Sequence, residues 1–166
     1  PQPVVKVPIA LINEPINGAY GEGAELIFQV VYEEIVTVTG VPKLILRIGG
    51  TNVDANYFQG SGSNGIEFKY IVASGINDNN GIALASSSIN LNSGTIRNSD
   101  DEDGELNIAD SIDSLSSILV DTSSSPPEKV SGVTTAPTTS NTSLGVTWTV
   151  PADNGSAISG YNIQYS

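Results

Sequence analysis

The alternation of apolar and other side chains along short segments constrains the fold of this chain more than any other feature. It is present in three segments, at residues 26–31, 43–48 and 66–72. In the last of these, Ile66, Phe68 and Tyr70 are separated by Glu67 and Lys69. Successive side chains of a β-strand point to opposite faces, so the pattern predicts strands with one face in a core and the other toward water or a neighbouring strand.

Turn signals separate these segments. Asn-Gly and Gly-Gly pairs supply the positive φ angles that tight hairpins require, and they occur at Asn17-Gly18, Gly49-Gly50, Asn64-Gly65, Asn80-Gly81 and Asn154-Gly155. No helical period is sustained, although residues 110–116 allow one brief helical turn. Short strands with turns at this density predict an all-β fold, namely a β-sandwich.

A change of composition near Asp121 divides the chain. Residues 121–128 (DTSSSPPE) are small, polar and proline-bearing, as expected of an interdomain linker. We therefore expect a first domain at 1–121, a linker at 122–128 and a second domain at 129–166. The second domain has fewer strand-like segments than a closed sandwich needs; they lie at 130–134, 144–150 and 161–165.

The acidic balance of the chain argues against two kinds of partner. The sequence has 18 acidic and 6 basic residues, a formal net charge of −12. This charge repels a phosphate backbone and anionic membrane surfaces, so we expect no nucleic acid as a partner. No apolar run approaches the roughly 18 residues that span a bilayer, and we expect no membrane insertion. Acidic surfaces do collect hard cations, of which calcium is the commonest outside cells.

The residues that many enzyme sites require are missing. The sequence has no Cys and no His, which excludes disulfides, thiolate or imidazole zinc sites, and nucleophiles activated by His. Glu33 and Glu34 form a dense carboxylate pair, but adjacent residues of a strand point to opposite faces and do not easily share a substrate. We therefore predict that the chain is not an enzyme.

Five aromatic residues are the candidates for stacking on a sugar ring. Their spread over separate strands favours positions in the core instead. The five are Tyr20, Tyr32, Tyr57, Phe58 and Tyr70.

The first domain resembles the immunoglobulin-like repeats of large bacterial surface proteins and calcium-dependent adhesins. The motifs that carry the resemblance are 17–23 (NGAYGEG), 36–42 (VTVTGVP), 44–50 (LILRIGG), 80–82 (NGI), 91–96 (LNSGTI) and 119–122 (LVDT). The resemblance covers residues 1–124 and implies an immunoglobulin-like β-sandwich. Such repeats are commonly spacers, so the resemblance says little about a ligand.

The second domain resembles the opening of a fibronectin type III domain. The carrying residues are Pro127, 144–148 (LGVTW), 151–155 (PADNG), Ile158 and 160–165 (GYNIQY). In that family a Trp on the second strand packs on a residue of the third, which implies contact between Trp148 and Tyr161. The resemblance, over about 126–166, implies an incomplete sandwich with its first three strands. Its uncovered apolar face and strand edges predict a strand-exchanged homo-oligomer.

Two loops have a spacing that suits a metal ion. Alternate Asp or Asn oxygens followed by a glycine turn can surround a hard cation. The first loop contains Asp78 and Asn80, and the second contains Asp101 and Asp103 after Asp100. The carboxylates of the second loop repel each other without a cation, so it is the stronger calcium candidate. For the first loop, a plain hairpin turn is the favoured interpretation.

The alternating direction of successive strands adds a further residue to this predicted calcium site. If residues 94–98, 105–109 and 116–120 are successive strands, Asp121 returns to the end of the domain that carries the loop at 99–104. We therefore expect Asp121 and the acidic loop to share the end that faces the next domain. In cadherin-like tandem repeats, that end holds the rigidifying calcium.

The sequence favours a secreted or cell-surface protein with a structural role. We expect a non-catalytic spacer in an extended adhesin, rigidified by calcium and in contact with neighbouring repeats of the same polypeptide. One alternative is a module that itself binds carbohydrate or a host protein. Another is an accessory domain of a secreted hydrolase, because fibronectin type III modules often follow catalytic domains.

Overall fold

The structure is a computed structural model, and it describes residues 5–123, 129–137, 144–151, 158 and 160–163. The chain forms two compact units that divide between Thr122 and Ser123. The described residues of the first unit form ten strands: β1 (Ile9–Asn13), β2 (Gly18–Tyr20), β3 (Glu25–Thr39), β4 (Lys43–Ile48), β5 (Thr51–Gln59), β6 (Ser63–Ile71), β7 (Asn77–Asp78), β8 (Ala83–Leu84), β9 (Thr95–Arg97) and β10 (Ile118–Asp121).

Two sheets cover one core in the first unit. The larger is antiparallel and seven-stranded, in the order β1-β3-β6-β5-β4-β8 with β9 also paired to β3. The smaller has the order β2-β10-β7, in which β10 is parallel to β2 and antiparallel to β7. Leu46 of the larger sheet and Val120 of the smaller one belong to the same buried cluster. The unit is therefore all-β and sandwich-like.

The predicted alternation of faces is confirmed where it was most regular. Ile66 and Phe68 are fully buried, and Tyr70 packs partly buried against the core. Glu67 points to the other face, where its Oε2 accepts a hydrogen bond from Gln59 Nε2 at 2.8 Å. The residues that alternate in β3 and β4 behave in the same way.

The predicted strand over residues 105–109 is wrong. These residues contribute a single isolated bridge, at Asn107. The Glu105 side chain explains this, because its Oε1 accepts the backbone N–H groups of Leu106 and Asn107 at 2.8 and 2.9 Å. Those donors are then not available to a strand ladder. A short 3-10 helix follows at Leu115–Ser117, close to the predicted helical turn.

The chain comes into the first unit beside the middle of β3 and leaves it beside the start of that strand. Near the incoming end, the backbone N–H of Glu33 donates to Pro8 O at 3.0 Å. At the outgoing end, Gly21 lies beside the carbonyl oxygen of Asp121, and Ala24 donates to Gly21 O. Nine residues of extended backbone separate Ala24 from Glu33, a distance of about 30 Å.

The second unit contains a two-stranded hairpin of β11 (Ser131–Pro137) and β12 (Leu144–Thr149). The expected aromatic contact is confirmed: the rings of Trp148 and Tyr161 meet edge to face, with centroids 5.0 Å apart. The third strand predicted at 161–165 is not seen in the described residues 161–163, and 164–166 lie outside them.

The apolar face of this hairpin is open among the described residues. A groove of about 420 Å³ runs over it and is lined by Val130, Val133, Val146, Trp148, Gly160, Tyr161, Asn162 and Ile163. Strand exchange as the means of covering this face stays a prediction.

In the part of the chain that the structure describes, no helix has the length and apolarity of a membrane span.

The alternating faces of β6 yield a first test. Phe68→Ala removes a fully buried ring from the core and should lower the free energy of unfolding by about 3–5 kcal/mol. Glu67→Ala, on the outer face of the same strand, should change it by less than about 0.5 kcal/mol. Denaturant unfolding of both variants measures the difference, and comparable losses would contradict the register of β6.

Candidate functional site

The acidic loop that follows β9 is closed by an arginine of the same chain. Arg97 Nε donates to Asp103 Oδ1 at 2.7 Å, and Arg97 Nη1 donates to Asp101 Oδ1 at 2.9 Å. These contacts raise the pKa of the Arg97 guanidinium, first through the hydrogen bond that it donates to Asp103 and then through the charge of Asp101. Both carboxylates therefore already have a cationic partner.

A buried asparagine shapes the same loop. Asn98 is only 7 % exposed, and its Oδ1 accepts the backbone N–H groups of Asp100 and Glu102 at 3.1 and 2.9 Å. Its Nδ2 donates to Glu102 Oε2 and to Glu34 Oε2 of β3, at 2.9 and 2.8 Å. Both amide atoms of Asn98 are thus used to bring the two glutamates together and to anchor the loop to β3.

The repulsion that suggested a calcium ion is therefore partly relieved within the protein. Arg97 compensates Asp101 and Asp103, and the Asn98 amide donates a hydrogen bond to both Glu34 and Glu102. Sequence reasoning considered only the acidic residues of the loop and missed these two partners. The sequence signal for these partners was that Arg97 and Asn98 stand just before the acidic cluster.

A second polar cluster ties the chain segment before β1 to the end of the loop. Lys6 Nζ lies 3.2 and 3.1 Å from the two carboxylate oxygens of Glu105. The backbone N–H of Asn107, and then the Lys6 ammonium, hold the pKa of Glu105 below its usual value. Tyr32 O–H donates to the Glu105 carbonyl oxygen at 3.0 Å. Burial, and secondarily the Glu105 charge, raise the pKa of the Tyr32 phenol.

Gly104 allows this part of the loop to lie close to β3. A Cβ at this position would stand 3.0 Å from Tyr32 Cε1 and 3.0 Å from Ile96 Cγ2. The residue is buried and forms a parallel bridge with Val7. The glycine that sequence reasoning assigned to the turn of a cation loop therefore packs against the Tyr32 ring.

Asp78 has a structural position, away from the acidic loop. Its side chain is 6 % exposed. Asp78 Oδ2 accepts the backbone N–H of Gly49 at 2.7 Å, and Oδ1 accepts the backbone N–H of Asn80 at 3.3 Å. The carboxylate thereby holds the β4–β5 turn against the edge of the smaller sheet. Gly81 follows with φ +95°, and a Cβ there would lie 2.3 Å from Ser116 Cα.

The structure does not bring the predicted calcium ligands together. Asp121 pairs with Asn77 in the smaller sheet at the outgoing end of the unit. Asp100, Asp101 and Asp103 lie beside Glu34, toward the incoming end. The shared end predicted from strand parity is therefore wrong, because residues 105–109 do not form the returning strand that it required.

Calcium binding itself stays a prediction. Across the described residues, no three acidic side chains converge in an arrangement that would hold a metal ion. Any ion at the acidic loop would have to compete with the Arg97 guanidinium for Asp101 and Asp103.

Comparisons with known proteins leave the family of the chain undecided. No model of a known family, no curated protein and no solved structure matches this sequence or fold. The resemblances to immunoglobulin-like adhesin repeats and to fibronectin type III domains are therefore interpretations of sequence motifs.

The role of Asp78 yields a second test. Asp78→Ala should lower the free energy of unfolding by about 1–3 kcal/mol, because it leaves the Gly49 and Asn80 N–H groups without their acceptor. Asp78→Asn should lose less, because its amide oxygen can still accept from Gly49. Asp113→Ala, at an exposed position, is the matched control and should stay within about 0.5 kcal/mol. Equal effects of the two alanine variants in urea unfolding would contradict this role.

The calcium prediction is tested by removing the internal cation. In Arg97→Gln, the carboxylates of Asp101 and Asp103 lose their guanidinium partner and become better ligands for a divalent ion. Calcium at about 100 times its dissociation constant adds about 2.7 kcal/mol and should raise the melting temperature by roughly 5–10 °C. We expect a larger rise in Arg97→Gln than in the unmodified protein.

Arg47→Gln is the control for this experiment, because it makes the same charge change on β4, outside the loop. Its calcium response should equal that of the unmodified protein. Identical melting curves in EDTA and in millimolar calcium for all three proteins would exclude calcium as a ligand of the loop.

Proposed function

We propose that residues 5–123 are a non-catalytic spacer repeat of an extended secreted or cell-surface protein. The observation that carries the proposal is the position of the two chain ends of this unit. The incoming segment lies beside Glu33, in the middle of β3, and the outgoing one lies near Ala24, just before this strand, about 30 Å away along it. Copies joined in tandem through such ends form a rod, whereas adjacent ends would fold the rod back on itself.

The incoming segment is held firmly to the unit. Val7 is 1 % exposed, and its backbone N–H donates to Asp103 O at 3.0 Å. The Val7 carbonyl oxygen accepts the backbone N–H of Glu105 at 2.8 Å. Together with the ion pair between Lys6 and Glu105, these contacts allow a pull on the segment to reach the body of the fold.

The outgoing strand is held on both sides. β10 pairs in parallel with β2 through Ile118–Val120 and in antiparallel fashion with β7. Beyond it, Thr122 donates its backbone N–H to Asn77 Oδ1 at 2.7 Å and its hydroxyl to Ile76 O at 3.0 Å. The backbone that follows β10 is therefore anchored to the unit as well.

Both terminal strands run along the axis on which a spacer bears load. β1 leads from the incoming end toward the outgoing one, antiparallel to β3. β10 leads to the outgoing end beside β2. A pull on the two ends loads the hydrogen bonds of each ladder in shear, so that several break together rather than one at a time. This geometry suits a mechanical element.

Charge and the resemblance to adhesin repeats also support the proposal. The net charge of −12 keeps an exposed, repetitive surface soluble. A calcium ion bound by the acidic loop would lie toward the incoming end, where the proposal expects a preceding repeat.

The separation of the two ends is measured on the full 166-residue chain with pairs of spin labels. The native sequence has no Cys. In a double variant with Val5→Cys and Glu22→Cys, the spin labels therefore attach to these two positions and to no other. We expect about 30 Å between backbone positions at the two ends, from the extended rise of β3.

The pair Val5→Cys and Asp100→Cys is the matched control, because both positions lie toward the incoming end, and it should give a clearly shorter distance. Equal distances for the two pairs would remove the geometric basis of the spacer. Small-angle scattering of one, two and three joined copies of residues 5–123 then tests the function. The longest dimension should grow by at least about 30 Å per copy. A single copy beside a catalytic domain in the parent protein would favour the accessory role instead.

A further inference from the structure

A row of polar side chains crosses the outer face of the larger sheet. Asn13, Gln29, Glu67 and Gln59 occupy consecutive paired positions on β1, β3, β6 and β5. Asn13 Nδ2 donates to Gln29 Oε1 at 2.8 Å, and Gln59 Nε2 donates to Glu67 Oε2 at 2.8 Å. Neighbouring strands lie about 4.8 Å apart, so the row extends over about 14 Å perpendicular to the strands.

The row retains unused hydrogen-bonding capacity. Among the described residues, Gln29 Nε2 and Glu67 Oε1 make no hydrogen bond, and neither do Asn13 Oδ1 and Gln59 Oε1. The row therefore presents both donors and acceptors to solvent. They recur at the strand spacing, which is comparable to the length of one hexose in an extended glycan.

A β-bulge places an aromatic ring beside this row. The pairing of β5 with β6 is regular at Tyr57, which opposes Phe68, and resumes at Gln59, which opposes Glu67. Phe58 is the extra residue between them. Bulges change the direction of a side chain and are common next to functional sites. Here the bulge keeps Tyr57 against the core while Phe58 is 46 % exposed.

Phe58 thus departs from the sequence expectation that the aromatic residues lie in the core. Tyr32 is fully buried, and Tyr20, Tyr57 and Tyr70 pack against the core. Lys69 Nζ lies 3.6 Å from the centroid of the Phe58 ring. The same ammonium pairs with Glu25 Oε1 at 3.0 Å, which orients it and fixes one side of the ring.

The charges of this face are compensated, although the chain as a whole is strongly acidic. Lys69 pairs with Glu25, and Lys43 pairs with Asp54 at 2.6 Å. The amides of Gln29 and Gln59 flank Glu67 on the neighbouring strands. Two of its three carboxylates are ion-paired and Glu67 is flanked by amides, so this face offers little net charge to a charged ligand, while its amides and its aromatic ring suit a neutral polyhydroxyl one.

We propose that this face binds a neutral, extended polysaccharide, whose chain runs across the strands along the row of Asn13, Gln29, Glu67 and Gln59. One sugar ring stacks on Phe58, where its C–H groups meet the negative face of the aromatic ring. The hydroxyl groups of successive sugars hydrogen-bond to the unused amide and carboxylate atoms. This binding role goes beyond the spacer function and does not depend on it.

The test uses the full 166-residue chain and an array of neutral and charged glycans, followed by calorimetry with the neutral oligosaccharide that binds best. Phe58→Ala should weaken binding by about tenfold, as expected for a central aromatic contact. Gln59→Ala should weaken it by about fivefold, as expected for one lost hydrogen bond. Side-chain amide resonances of Asn13, Gln29 and Gln59 should shift in the complex.

Ile16→Ala is the control, because Ile16 is a strongly exposed apolar residue of the segment between β1 and β2 and belongs to no strand of the larger sheet. Its loss should leave binding unchanged. Equal melting temperatures of all variants exclude unfolding as the cause of weaker binding. Failure to bind any neutral glycan, or binding to charged glycans alone, would overturn the proposal. Binding that Phe58→Ala and Gln59→Ala leave unchanged would also overturn it, because the ligand would then occupy another surface.

Discussion

Hydrogen bonding along β3 is the constraint on which the rest of the first unit depends. This strand of 15 residues pairs with β1 and β6 over its first half and with β9 near its end. Its inward side chains, Leu26, Phe28, Val30 and Tyr32, are completely buried. The stretch of β3 between Ala24 and Glu33 separates the incoming from the outgoing chain end, and the strand lies between β1 and β6 on the outer face.

The acidic loop illustrates how residues of the same chain stabilise a local excess of negative charge. Four acidic residues follow one another at 100–103, yet Arg97 and Asn98 supply a cation and a buried amide within hydrogen-bonding distance of most of them. The loop can therefore close on its own residues. This does not exclude calcium, but an ion has to compete with an internal guanidinium rather than fill a prepared cage.

The two proposals concern different surfaces of the same unit. Load along the axis involves the ladders of β1 and β10, whereas the polysaccharide face involves outward side chains of β1, β3, β5 and β6. A repeat that separates a distal domain from a cell and also holds neutral glycan chains along its length would combine both roles. The two roles share the pair of Asn13 and Gln29 in the β1 ladder, whereas the β10 ladder does not include Phe58, Gln29 or Gln59.

The sequence alone determined the all-β class and the faces of β3, β4 and β6, because a period of two is a local property of an extended backbone. It also indicated the contact between Trp148 and Tyr161, through the resemblance of its motifs to a fibronectin type III domain rather than through residue spacing. The tertiary structure decided which polar groups meet. Asp78 binds the turn at Gly49, Asp121 lies far from Asp101, and a single extra residue turns Phe58 outward. These outcomes depend on strand order and on bulges, which arise from pairing between distant segments and leave no periodic signal in the chain.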